Sequence, residues 1–312
     1  MDGNKKSTSP VAIVFGVILV LYSVILLLLL YWGVITSVKS NNDFVLGENN
    51  FLGLPKLYYK GPGGVLAPWE WEFENFSKVA QFFDLKDLVR NGRRIRSIPY
   101  TTQISYTLMF ALGCSFFATL CPCIVAYATQ KFQKEFNKVI DILVIISMTV
   151  PIIGSQSSML SLMHGLGIYD TFGGLYMQKF YFGNMYYLMF SAVFKGISSA
   201  YYEAAYIDGA SEWQVMLKIA LPLVLTSFGL IFLLHFITYW NDYQTLLIYA
   251  PSHPTIVYGL FKVMTDSSGS SVRGQVPVQM AGCTLVTMPV ILLFIIFRNK
   301  LMGNLTIGGV KE

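Results

Sequence analysis

Trp240, Asn241, Asp242 and Tyr243 put two aromatic rings, an amide and a carboxylate on consecutive positions. Such rings stack on sugar faces, and amides and carboxylates bond to hydroxyls. With Tyr239 they form a candidate substrate path or a contact for an outside partner. The same residues also suit an interfacial anchor, with Trp and Tyr in a headgroup belt and Asn and Asp at a helix end. Other chemistries find less support. Gly3-Asn4-Lys5-Lys6-Ser7-Thr8 is the nearest string to a phosphate-binding loop, and it lacks the first glycine and the spacing. His164, His235 and scattered serines stand without a Gly-x-Ser-x-Gly elbow or a His-Glu-x-x-His pair. The 4 cysteines, Cys114, Cys121, Cys123 and Cys283, all fall in apolar blocks, and Cys121-Pro122-Cys123 has one residue between its thiols where zinc and redox motifs have two. They read as small packing residues. No catalytic residue, metal site or cofactor is assigned.

The elements that must position these residues are membrane helices. Of 312 residues 54% are hydrophobic and 12% charged, about half the charge of a soluble domain. Apolar blocks at 11–34, 101–130, 142–163, 180–194, 219–241 and 274–297 each approach the roughly 20 residues that cross a bilayer. Lipid offers the backbone no partners, so the spans must be helices. The expected fold is therefore an all-α integral membrane protein with six transmembrane helices. The first block is too long for a signal-peptide core and no A-x-A-like site follows it, so it is expected to be retained. The block at 180–194 is short: either it spans with help from snorkelling Lys179 and Lys195 and flanking aromatics, or its boundaries are blurred.

Charge sets the expected orientation. With the N-terminus inside, the inner segments carry Lys5, Lys6, Lys131, Lys134, Lys138, Lys195, Lys218, Arg298, Lys300 and Lys311. The short outer loops carry Lys179, Lys262 and Arg273. That bias puts both termini in the cytoplasm. The net charge of +5 is read as this topology signal, and no nucleic-acid partner is expected. Residues 1–36 then form a tail and first helix, 37–100 an extracytoplasmic loop, and 101–312 the core. Within the loop, Phe76, Val79, Phe82, Phe83 and Leu88 give residues 76–89 an apolar helical face. Inside the spans, His235 suits a neutral side chain bonded to a neighbouring helix. Ser155, Gln156, Ser157 and Ser158 suit either interhelical bonding or a pore lining.

Residues 198–222, ahead of the fifth span, carry the strongest local pattern. Ser198 or Ser199 can cap a helix, and Glu203 near its start favours the helix dipole. Gly209 can take the left-handed conformation that ends it. Ser211 with Gln214 makes a capping box for a second helix, on which Trp213, Met216, Leu217 and Ala220 share a face. Pro222 opens the next span. The expectation is a short helix, a glycine turn and a second short helix, which by shape alone also fits an ordinary loop on the membrane surface.

Glu203-Ala204-Ala205, then Asp208-Gly209-Ala210, then Leu221-Pro222, with this spacing, resembles the EAA signature of ABC importer permeases. Four further strings resemble the carbohydrate branch, of the maltose-transporter kind. They are Ala126-Tyr127-Ala128, the run from Leu166 to Thr171, Trp240-Asn241-Asp242-Tyr243, and the tail from Gly303 to Lys311. Together these cover residues 100–311. The chain departs from the pattern at Ser199-Ala200 and at Leu225-Thr226, where relatives commonly have proline. The resemblance implies docking on a cytoplasmic ABC ATPase dimer, with Gly209 making the turn, Glu203 facing the ATPase and the two alanines allowing close packing. It also implies a second, related permease subunit and an extracytoplasmic sugar-binding protein as partners, alongside membrane lipid. The alternatives are a permease for a non-sugar solute and, more remotely, an intramembrane enzyme.

Overall fold

The computed structural model describes residues 10–46, 52–56, 66, 70–90, 93–132, 135–150, 154–265 and 275–304. Trp69, Pro151, Arg273 and most of the 303–311 string fall outside them. The chain divides into two compact units, 1–83 with 262–288 and 84–261 with 289–312.

In the first unit, α1 (Pro10–Ser37) is apolar and exposed along nearly its whole length, as a lipid-facing helix must be. Its end is buried at Ile35, Thr36 and Ser37. There Asn75 of α3 (Glu74–Phe82) donates to the carbonyls of Ser37 and Lys39, both at 2.9 Å. A buried amide thus satisfies the last carbonyl of α1 and one just beyond it. Between them, in α2 (Asn41–Leu46), buried Asp43 accepts from the Lys56 amide at 3.0 Å. Val79 and Phe83 are buried beneath α3, so its apolar face forms as the spacing predicts.

The helix does not continue to Val89. The second unit opens instead with an antiparallel hairpin, β1 (Leu85–Arg90) and β2 (Arg93–Ile98), in which Arg90 pairs with Arg93. Asn91-Gly92 lies between the strands, and that pair is the strongest short-range hairpin signal. It outweighs a helical spacing that rested on one further apolar residue, Leu88.

The rest is helical: α4 (Tyr100–Phe132), α5 (Glu135–Thr149), α6 (Ser155–Gly165), α7 (Phe172–Lys179), α8 (Met185–Lys195), α9 (Ser199–Ile207), α10 (Glu212–Val215), α11 (Leu221–Trp240), α12 (Gln244–Tyr249), α13 (Ile256–Thr265) and α14 (Val276–Asn304). Among the described residues four helices are long and apolar enough to cross a membrane: Pro10–Ser37, Tyr100–Lys131, Glu212–Trp240 and Val276–Arg298. The blocks at 142–163 and 180–194 form shorter helices. The block at 142–163 is not one helix: α5 stops at Thr149 and α6 starts after Gly154, whose φ is +82°. Pro151 lies in that gap and disfavours helix in the residue before it. α8, capped by Asn184 on the amides of Tyr186 and Tyr187, is about 16 Å long, half the hydrocarbon thickness.

α4 is the central helix, packed against α7, α8 and α11. Gly113 lets α7 lie close, because a Cβ there would stand 2.3 Å from the Tyr176 ring. The Tyr176 hydroxyl donates to the Met109 carbonyl at 2.9 Å across the same contact. Tyr127, Tyr187, Phe190, Phe194 and Ala220 form one core cluster, and Phe110, Met163, Leu175 and Leu246 another. Buried polar groups pair across helices, as the absence of water in lipid requires. His235 Nδ1 lies 2.9 Å from Thr119 Oγ1, the structural role expected for it. Tyr187 Oη lies 2.6 Å from Asp141 Oδ1. Asp170, at φ +59°, accepts from the Ser252 amide at 3.1 Å and sits 3.3 Å from His253 Nδ1, which ties the loop after α6 to the loop after α12.

Candidate functional site

The strongest candidate is the helix pair α9–α10. Ser198 caps α9, its hydroxyl accepting from the Ala200 amide. Glu203 is the fifth residue of the helix and lies past the first turn, so its expected interaction with the dipole does not arise. The far end closes as a Schellman motif. The Ala210 amide donates to the Ala205 carbonyl at 2.9 Å and the Gly209 amide to the Tyr206 carbonyl at 3.0 Å. Gly209 holds φ +78°, which the motif needs and which L side chains avoid. α10 then starts on the expected capping box. Ser211 Oγ accepts from the Gln214 amide at 3.4 Å, and Gln214 Oε1 accepts from the Ser211 amide at 2.8 Å.

One expectation about α10 is corrected. Trp213 is 70% and Leu217 56% exposed, whereas Met216 and Ala220 are buried. The cause is a π-helical turn at Met216–Ala220 between α10 and α11. A π turn advances each residue through a smaller angle, so Ala220 falls in line with Val215 and Met216 on the inner side. Trp213 and Leu217 stay together on the outer side. Leu221 and Pro222 begin α11, which runs on from α10 through the π turn as one span, Glu212–Trp240.

The outer surface of the pair is thus apolar, and α9 lies outside the long spans. Ile207 is 86% exposed, and Tyr201 and Trp213 are exposed with it. Glu203, Ala204, Asp208 and Gly209 are exposed, Ala210 is half-buried, and Ala205 is buried against the chain itself. The two alanines therefore do different work: Ala205 seats the helix, and Ala204 leaves its surface flat.

Sequence reasoning missed three features here. Ile207 is not marked in the sequence, because a single isoleucine in a short helix carries no sign of exposure. Lys131, the penultimate residue of α4, makes an ion pair with Glu212 and lies 4.8 Å from the Tyr206 ring centroid. Its partners lie about 80 residues away, beyond any local pattern. A cavity of about 300 Å³ lies beside them, lined by Tyr127, Lys131, Tyr202, Glu203 and Tyr206 among others. Burial pushes the Tyr202 and Tyr206 phenols up from their ordinary range.

The five residues at the far end of α11 do not converge on one surface. Tyr239 meets Phe110 edge to face at 5.9 Å, with Lys179 Nζ 5.1 Å above its ring. Trp240 is buried with Ala111 and Phe236. Asn241 is exposed and bonds back to the Ile237 carbonyl. Asp242, two residues before α12, accepts from the Thr245 amide at 3.0 Å. Tyr243 stacks on Phe261 at 4.5 Å. The serines of α6 and Gln156 are exposed.

Comparison with known proteins sets this geometry in context. A family model described as "Binding-protein-dependent transport system inner membrane component" matches residues 118–302. The arabinooligosaccharides transport system permease protein AraQ of Bacillus subtilis (strain 168) is 24% identical over 231 residues, 73% of this chain and 79% of the relative. The diacetylchitobiose uptake system permease protein NgcG of Streptomyces coelicolor is 21% identical over 293 residues, 93% of this chain and 86% of the relative. Among solved structures, a chain of a bacterial ABC transporter involved in the import of the acidic polysaccharide alginate matches with TM-score 0.70 and 18% identity. That match covers 96% of this chain and 99% of the other, and it is a likeness of fold.

Proposed function

Because the chain belongs to the binding-protein-dependent transport system inner membrane component family, we propose that it is one permease subunit of an ATP-driven importer of sugars or oligosaccharides. A separate cytoplasmic ABC ATPase dimer docks on α9–α10. A second, related permease completes the path, and an extracytoplasmic sugar-binding protein delivers the substrate. Residues 1–36 anchor the chain, 37–100 form the extracytoplasmic lobe, and 101–312 form the core. The chain crosses the membrane six times and keeps both termini inside.

The observation that carries this reading is the exposed apolar face of α9–α10. Ile207 at 86% exposure, on a helix pair closed by its own caps, is a surface shaped for a protein partner. Glu203 and Asp208 at its edge supply polar specificity. ATP binding closes the two ATPase subunits, the closure displaces α9–α10, and α8 and α11, to which they are joined, change the side from which the path opens. A loaded binding protein shifts that equilibrium only by binding the outward state more tightly. The exposed serines of α6 and the exposed Asn241 after α11 line the path or meet the binding protein. The sugar assignment rests on the oligosaccharide cargoes in the relatives' names.

Affinity purification from the native membrane in mild detergent tests the assembly. An ABC ATPase and a second permease are expected to co-purify, and a sugar-binding protein to join them when nucleotide is trapped. A chain that purifies without an ATPase contradicts the proposal.

A further inference from the structure

We infer that Lys131 is a positioning residue that clamps the docking helices to the end of α4, so that α4 moves with them. The inference rests on the docking role of α9–α10 and adds a connection that role does not require. Three elements meet at this ammonium. From α4 itself, the Tyr127 hydroxyl lies 3.0 Å from Nζ. From α9, the rings of Tyr202 and Tyr206 lie 5.9 and 4.8 Å away, one helical turn apart on the same face. From α10, Glu212 makes the ion pair, and Tyr206 Oη donates to the same carboxylate oxygen at 2.9 Å.

The side chain of Lys131 is only 10% exposed, whereas that of Glu212 is 56% exposed. A cation desolvated among phenol rings interacts far more strongly with them than one in water. The chain joins the docking helices covalently to α8 and α11, and Lys131 adds a third attachment, to the helix that packs along both. Without it, Glu212 stays hydrated and Tyr127 keeps its contact with Phe194 at 5.6 Å, so the core survives. What is lost is the tie. The helix pair can then follow the ATPase while α4 lags behind, and nucleotide is consumed without opening the path.

The test needs no identified substrate. The complete transporter, purified with its ATPase and partner permease, carries a Ser158→Cys reporter on the exposed face of α6. A fluorescent maleimide reads the labelling rate with and without a non-hydrolysable ATP analogue, and ATP hydrolysis is measured in parallel. With Lys131 in place the analogue changes the labelling rate. In Lys131→Met the ATPase still co-purifies and hydrolyses ATP, but the nucleotide-dependent change falls about tenfold, the scale of one lost charge-assisted contact. Lys131→Arg, which keeps the charge and the ring contacts, stays within about twofold of the parent. A Lys131→Met transporter that responds to nucleotide as the parent does overturns the clamp and leaves the docking reading intact. Loss of the ATPase from Lys131→Met also overturns it, since Lys131 would then be a docking or folding contact. A parent chain that brings no ATPase overturns both readings.

Discussion

Replacing Gly209 by Val abolishes ATP-driven transport while the chain remains in the membrane at close to its normal level. A Cβ at this position meets nothing within 4 Å, so no clash destabilises the fold. The whole effect comes from φ +78°. A left-handed residue costs an L side chain about 1–2 kcal/mol, and a β-branched one more. Relaxing to a right-handed conformation forfeits the Ala210–Ala205 and Gly209–Tyr206 bonds, about 1 kcal/mol each. Either way α10 no longer follows α9 at the observed angle, and the ATPase meets a misaligned pair. A loss on the order of 3 kcal/mol in docking lowers ATPase retention roughly a hundredfold. The series Gly209→Asn, Gly209→Ala, Gly209→Val should fall in that order, since Asn tolerates the left-handed region best. ATPase co-purification and transport activity measure it. Equal activity across the series contradicts the turn's role.

Ile207→Asp has the second largest expected effect and tests the docking surface without touching the turn. At 86% exposure Ile207 contributes little to the chain's own stability, so membrane level and the melting temperature of the isolated subunit stay unchanged. Covering an isoleucine is worth about 1.5–3 kcal/mol, and a carboxylate at the same place must also be desolvated. ATPase retention should therefore drop at least about thirtyfold. Ile207→Leu, which keeps the apolar area, should remain close to the parent. Retention of the ATPase by Ile207→Asp would remove this face from the interface.

What could be read from the sequence was what local chemistry decides. The apolar blocks announced a membrane fold, and Gly209, Ser211 and Gln214 behave as their types and spacing dictate because caps and turns depend on a few neighbouring residues. Misreadings arose where a second constraint competed with the pattern. Asn91-Gly92 overrode a helical spacing in 76–89, and Pro151 with Gly154 divided a block whose hydropathy reads as continuous. The π turn separated Trp213 and Leu217 from Met216 and Ala220, a change of face that regular helical counting cannot anticipate. Trp240 looked like part of a surface motif but is buried, because its ring packs on Phe236 one turn earlier and on Ala111 of α4. The Lys131–Glu212 pair was illegible for a simpler reason: only the fold, which brings the end of α4 beside α9 and α10, puts these residues together.

The central claim is that α9–α10 present their outer face to a cytosolic partner. Ala204→Cys, probed with a membrane-impermeant maleimide, tests it most directly. The account predicts labelling in inside-out vesicles stripped of peripheral proteins, protection when the ATPase is restored, and none in sealed right-side-out vesicles. Labelling from outside, or labelling from inside that the ATPase leaves unchanged, would contradict it.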